Sequence, residues 1–365
     1  MDSWITRKPT RRIHVGNVPI GNNAPISVQS MTNTHTDDVT ATVAQIRQLT
    51  AAGCEIVRAA IPDPPAVAAI ATIKSRIDIP LIADVHFDHR LAIAAAEAGA
   101  DGLRINPGNI GSMKKVHAVV DCARDQGIPI RIGVNSGSLE KDLVAENGGV
   151  TPEAMVASAM RHIHLLESLD FHDIKVSLKA SDVYRTVSAY RLLSAQTDVP
   201  LHIGVTEAGG LYPGIVKSAL GIGMLLAEGI GDTLRVSLTR DPVEEVRVGY
   251  EILKALDIRR HGPEIISCPT CGRCNIDLFD IADQVEKALL TRPTPVKVAI
   301  MGCVVNGPGE AKEADIGIAG GDGVGILFRK GVVVKKVPQD RLVEVLLKEV
   351  DEIENSNYRK ESHDK

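Results

Sequence analysis

The sequence predicts a (β/α)8 TIM barrel followed by a small α+β domain, and three observations predict it. From residue 26 onward, eight short β-branched runs alternate with eight Ala-rich helical stretches over about 250 residues, the span such a barrel needs. The alternation stops at 257–264 (DIRRHGPE), a polar stretch holding Gly262-Pro263. Beyond it, four of the six cysteines gather in two loops separated by about thirty residues.

The expected strands are 26–31 (ISVQSM), 55–60 (EIVRAA), 81–86 (LIADVH), 102–106 (GLRIN), 128–134 (IPIRIGV), 174–179 (IKVSLK), 201–206 (LHIGVT) and 232–237 (DTLRVS). Helical patterns lie at 38–52, 64–76, 89–98, 112–126, 152–169, 182–196, 211–228 and 242–256, with start signals such as Thr151-Pro152 and Asp241-Pro242. Residues 1–25 read as a hairpin over one barrel end. The connection 135–150 is long enough to be functional or mobile. The expected domains are 1–258 for the barrel, 264–350 for the second domain, and a charged, unordered tail at 351–365. The second domain should hold a helix at 276–290, strands at 296–301, 315–319 and 324–337 with a turn at Lys330-Gly331, and a helix at 338–350.

Composition narrows the function. The chain has 365 residues, 44% hydrophobic and 24% charged, ample for a large core. Its net charge of -5 and 3% aromatic content argue against nucleic acid or an anionic membrane surface as partner. No apolar run is long enough to span a bilayer, and the basic N-terminus lacks the apolar stretch of a secretory signal. Six cysteines in a chain this long suit a reducing cytoplasm, with Cys54 and Cys122 reading as small core residues.

Strands of a parallel barrel should be nearly all apolar, yet these carry charge. Arg58, Asp84, His86, Arg104, Asn106, Arg131, Asn135, Lys175, Lys179, Glu207 and Arg235 lie within or at the ends of the expected strands. With a side-chain period of two, Asp84 and His86, Arg104 and Asn106, Lys175 and Lys179, and Arg235 and Ser237 share faces. Those faces point into the barrel near its C-terminal mouth, where reacting groups gather in such enzymes. Six cations against Asp84 and Glu207 call for an anion, and arginine forks suit phosphate. Glu207, at a strand end, reads equally as an acid/base or as a salt bridge to a barrel arginine.

The first cysteine loop is SCPTCGRC (267–274) and the second GCVVNGPGE (302–310). Cys268 and Cys271 stand at metal-binding spacing, and Cys303 can close the site. Zinc, a four-thiolate cluster including Cys274, and a three-thiolate cluster with an oxygen ligand such as Glu310 all satisfy that pattern. A phosphate-binding barrel lyase or aldolase with a structural zinc domain is the alternative on these grounds, with Lys179 as its Schiff-base amine.

These loops, with SVQSMTNT, DVHFD, GLRINPGNIG, RIGVNSGSL, VSLKASD, GVTEAG and LRVSLT, closely resemble the 4-hydroxy-3-methylbut-2-enyl diphosphate synthase family of the non-mevalonate isoprenoid pathway. The resemblance runs from about residue 10 to 350 and matches the family's short form. It implies a [4Fe-4S] cluster on Cys268, Cys271, Cys303 and Glu310, the carboxylate-bound iron being the more easily vacated. It implies 2-C-methyl-D-erythritol 2,4-cyclodiphosphate as substrate, reduced by two electrons from flavodoxin or ferredoxin to (E)-4-hydroxy-3-methylbut-2-enyl diphosphate. It further implies that Arg58, Arg104, Asn106, Arg131, Asn135, Lys179, Arg235 and Ser237 hold substrate, that Glu207 is the acid/base, and that the enzyme is a homodimer; Asp84 and His86 join the candidate substrate contacts by their place at the same mouth. Cys274 departs from the family's common pattern, which puts the ligand role of Glu310 in question.

Overall fold

The structure, a computed structural model, describes residues 4–290, 292, 294–304, 309 and 311–363. It divides into two compact units, Met1–Arg259 and Arg260–Lys365.

The first unit is the barrel. Its strands are β3 (Ser27–Met31), β4 (Ile56–Ala60), β5 (Leu81–Asp84), β6 (Gly102–Ile105), β7 (Ile130–Asn135), β8 (Ile174–Lys179), β9 (His202–Ile203) and β10 (Thr233–Leu234). They pair in the order β8-β7-β6-β5-β4-β3-β10-β9, and a parallel bridge from Val176 to Leu201 joins the two ends. The outward residues Leu103, Ile105, Ile130, Ile132, Val134, Val176 and Leu178 are buried with the surrounding helices in one apolar cluster. That alternation frees the inward positions for polar side chains. Asp38, Asp63, Thr151, Asp182 and Asp241 each cap a helix by accepting a backbone N–H from its first turn.

A hairpin of β1 (Ile13–Val15) and β2 (Val18–Ile20) precedes the barrel. Its Ile13, Val15 and Ile20 pack on Ile56 and Ile82. Those two residues share strand parity with Arg58 and Asp84 but lie two positions nearer the N-terminal ends. The hairpin therefore covers the floor beneath the charged layer.

Two of the barrel strands differ from the sequence reading. The strands expected at 201–206 and 232–237 keep only two ladder residues each. Past them the backbones converge until a Cβ on Gly204 would stand 2.4 Å from the Arg235 carbonyl oxygen, too close for a regular ladder. The 135–150 connection is ordered by a 3-10 turn at Ser136–Ser138 and a helix at Lys141–Glu146.

The second unit is a five-stranded sheet of β11 (Glu264–Ser267), β12 (Lys297–Met301), β13 (Ile316–Ala319), β14 (Val324–Arg329) and β15 (Val332–Pro338), ordered as numbered. The pairs β11–β12 and β12–β13 are parallel, and the other two are antiparallel. Helices Leu278–Leu289 and Leu342–His363 cover it. The last helix corrects the expected loose tail at 351–365: it continues through 363 because Ile353 packs on the core and Arg292 holds Asp351 and Glu354 at 2.6 and 2.9 Å. No helix among the described residues is long and apolar enough to cross a membrane.

Candidate active site in the barrel and a cysteine centre

Register aligns the barrel charges. Asp84 pairs with Arg104 across β5–β6, Arg104 with Arg131 across β6–β7, and Arg131 with Lys175 across β7–β8. Residues in register on neighbouring strands share a face, so these four form one inward row. Asn135 and Lys179 are paired above Arg131 and Lys175. Arg58, Asp84, Arg104, Asn106, Arg131, Lys175 and Lys179 are all buried, while Asn135, Arg235 and Ser237 are half-buried. The His86 side chain is 50% exposed at the rim, 3.6 Å from Asp84.

Asp84 is the hub of one flank. It meets Arg104 at 3.1 Å and Arg58 at 3.4 Å. Burial raises its pKa, but Arg58, the His86 hydrogen bond and Arg104 together outweigh that and hold the carboxyl far below its usual range. Burial, reinforced by Arg235 and Arg104 and offset by Asp84, pushes Arg58 down to about 10.

Glu207 stands at the strand end, outside the buried cation layer. It is exposed in the loop after β9, in a left-handed conformation at φ 50°, and forms no ion pair among the described residues. The salt bridge to a barrel arginine belongs to Glu245, on the helix Pro242–Ala255. Its carboxylate takes Arg235 Nε at 3.2 Å and Nη2 at 3.1 Å, and accepts the Leu238 N–H at 3.0 Å. Sequence reading missed Glu245, although a signal was there. Pro242, Glu245, Val246, Gly249 and Leu253 make one helical stripe, all buried, so the acid sits on an apolar face. Gly133 was missed as well. A Cβ there would lie 2.5 Å from Arg104 Nε, so the bare backbone is where that guanidinium rests.

Other barrel cations have no carboxylate within ion-pair distance among the described residues. Nε and Nη1 of Arg131 and Nζ of Lys175 are buried without hydrogen-bond partners. Burial first, and then neighbouring arginines, hold Arg131, Lys175 and Lys179 well below their usual pKa. A polar layer so arranged is complementary to a multiply charged anion.

In the second unit, Cys268 and the Gly302-Cys303 pair follow the adjacent parallel strands β11 and β12. The Cys268 sulfur accepts the Gly302 N–H at 3.2 Å, and Cys271 is exposed. The Cys274 thiol donates to the Ile276 carbonyl at 3.3 Å and packs over Gly302, where a Cβ would lie 2.7 Å from its sulfur. No three His, Cys, Asp or Glu groups gather around one ion position among the described residues, and Glu310 lies outside them. Cluster ligands each bind a different iron, so they stand further apart than the ligands of a single ion. Thiolates stabilised by backbone N–H groups suit such a cluster. Cys54 is buried and its thiol pushed up to about 12, and Cys122 is half-buried, as core residues.

The profile described as GcpE TIM-barrel domain matches residues 10–250, and that described as GcpE protein C-terminal domain matches 264–352. The chain belongs to the GcpE family. It is 60% identical over 344 residues to the 4-hydroxy-3-methylbut-2-en-1-yl diphosphate synthase (flavodoxin) of Geobacter sulfurreducens, covering 94% of this chain and 98% of that one. The identically named protein of Lawsonia intracellularis is 60% identical over 348 residues, 95% and 97% of the two chains. That of Desulfotalea psychrophila is 56% identical over 362 residues, 98% and 100%. Both the barrel and the cysteine loops of this chain thus lie within the family's matched domains.

Proposed function

We propose that this GcpE family member is an oxidoreductase that converts 2-C-methyl-D-erythritol 2,4-cyclodiphosphate, two electrons and two protons into (E)-4-hydroxy-3-methylbut-2-enyl diphosphate and water. One carbon–oxygen bond to the ring diphosphate breaks, one hydroxyl leaves as water, and a double bond forms. The names of relatives at 56–60% identity support this reading. The observation that carries it is the buried layer of Arg131, Lys175 and Lys179, which has no counter-charge of its own among the described residues.

In this reading Arg58, Arg104, Arg131, Lys179 and Arg235 bind the diphosphate, and Asn106, Asn135 and Ser237 orient the polyol by hydrogen bonds. Asp84 fixes Arg58 and Arg104 in place, and His86 reaches the substrate from the rim. Glu207, exposed and without an ion pair among the described residues, would give or take a proton at a substrate oxygen. Cys268, Cys271, Cys303 and Glu310 would hold a [4Fe-4S] cluster, which supplies the electrons singly. Flavodoxin or ferredoxin is the donor, the chain works as a cytoplasmic homodimer, and residues 1–258 and 264–350 are its substrate and cluster domains.

Anaerobically purified protein should carry iron and sulfide and should form the linear diphosphate from the cyclic one when given reduced flavodoxin. Zinc in place of iron, or turnover without a reductant, would overturn the assignment in favour of the barrel lyase.

A further inference from the structure

Met31, the last residue of β3, lies between two of the barrel arginines. Arg58 Nη2 and Nε stand 3.0 and 3.3 Å from its sulfur, and Arg235 Nη1 stands 3.6 Å away. Each guanidinium also meets a carboxylate, Arg58 through the same Nε that faces the sulfur. Arg58 Nε reaches Asp84 at 3.4 Å, and Arg235 binds Glu245 through Nε and Nη2. The thioether therefore completes a chain Asp84–Arg58–Met31–Arg235–Glu245 across the barrel. Met31 is in register with Arg58, which fixes its backbone. It is half-buried and belongs to no apolar cluster of the barrel, so it is not filling a gap in the core.

The choice of side chain has a chemical reason. Two guanidiniums near one another repel. A carboxylate between them would hold both but would cancel the charge an anion needs. Leucine would keep the shape and offer no acceptor. A thioether is a weak, uncharged acceptor that reaches both forks and neutralises neither. We propose that Met31 is a positioning residue, its sulfur spacing Arg58 and Arg235 so that both face the same anion. This rests on the diphosphate reading of the barrel given above.

The test uses the full-length chain and inorganic pyrophosphate as probe, with wild type, Met31→Leu, Met31→Gln and Met31→Glu. Calorimetric affinity, the split of kcat and KM, and the Nε–H NMR resonances of Arg58 and Arg235 are read alongside urea unfolding. Met31→Leu should unfold like wild type, bind pyrophosphate about 10-fold more weakly, and raise KM more than it lowers kcat. Both arginine resonances should move. Met31→Gln, a neutral acceptor, should recover binding to within about threefold, and Met31→Glu should lose about 100-fold or more. Affinity for Met31→Leu within twofold of wild type, or a loss that Met31→Gln does not repair, would overturn the proposal. If wild type itself ignores pyrophosphate, the diphosphate reading fails. Arginine resonances unmoved in Met31→Leu overturn the positioning role whatever the anion does.

Discussion

On one flank of the barrel, Arg58 and Arg104 share Asp84, and Arg235 grips Glu245. On the other, Arg131, Lys175 and Lys179 meet no carboxylate among the described residues, though two of them are at least as deeply buried. The flanks carry the same number of cations in opposite states of satisfaction. The paired cations are held whether or not an anion is present, and they set the geometry. The unpaired ones are a standing electrostatic cost to the anion-free fold, relieved when a ligand arrives. Family membership does not reveal this division; the identity of each cation's neighbour does.

The sharpest way to break the comparison is Arg131→Met. It should lower turnover by about a thousandfold, roughly 4 kcal/mol of transition-state binding. It should also stabilise the anion-free protein by about 1–3 kcal/mol in urea unfolding, because an uncompensated buried charge has gone. Lost stability would mean that Arg131 has a structural partner. The opposite flank should respond in the opposite sense. Glu245→Gln strands Arg235 and should destabilise the fold by about 2–4 kcal/mol, with pyrophosphate recovering part of the loss.

A smaller effect is the ligand's own. At a hundred times its Kd, pyrophosphate should stabilise wild type by about 2.7 kcal/mol, and Arg131→Met by much less. Smaller again is the pH slope. Lys175 and Lys179 are depressed in the fold, first by burial and then by Arg131. Their unfolded value is roughly 10.4. Between the folded and unfolded values the unfolded chain binds more protons, so stability should rise with pH toward about 10 and then level off. Saturating pyrophosphate should flatten that rise. A stability that falls over this range would show that the lysines have counter-charges.

The smallest expected effect is at Cys274, whose thiol already has the Ile276 carbonyl as acceptor. Cys274→Ala should leave iron and sulfide content unchanged, whereas Cys268→Ala should abolish both. Iron lost from the first variant would make Cys274 a ligand and put Glu310 in doubt.

How much of this was legible follows from which periodicity carried each signal. The inward row from Asp84 to Lys175 was legible because charges at period two contradict a buried parallel strand. Glu245 was harder: it stands beside Glu244, and a pair of acids near a helix start reads as a solvated first turn. Only its place on the apolar stripe gives it away. Met31 left no pattern at all, since a thioether looks apolar until its neighbours are known. Gly133 and Gly204 offer no side chain to read, while in the fold they are where Arg104 and Lys179 lie against bare backbone. Glu207 was legible as a strand-end carboxylate, but spacing could not separate an ion-paired acid from an exposed one; in the fold it is exposed with a left-handed backbone.

The hairpin under the barrel has a kinetic consequence. With Ile13, Val15 and Ile20 packed against Ile56 and Ile82, the charged chamber is a blind well entered from its rim. On the proposed reaction, the cyclic diphosphate going in and the linear one coming out would use the same door and the same cations. Departure is then slow in proportion to how well the well was filled, and the spent molecule competes with the next one. Such an enzyme should be throttled by its own output, and a mimic of that output, once seated, should have a long residence time.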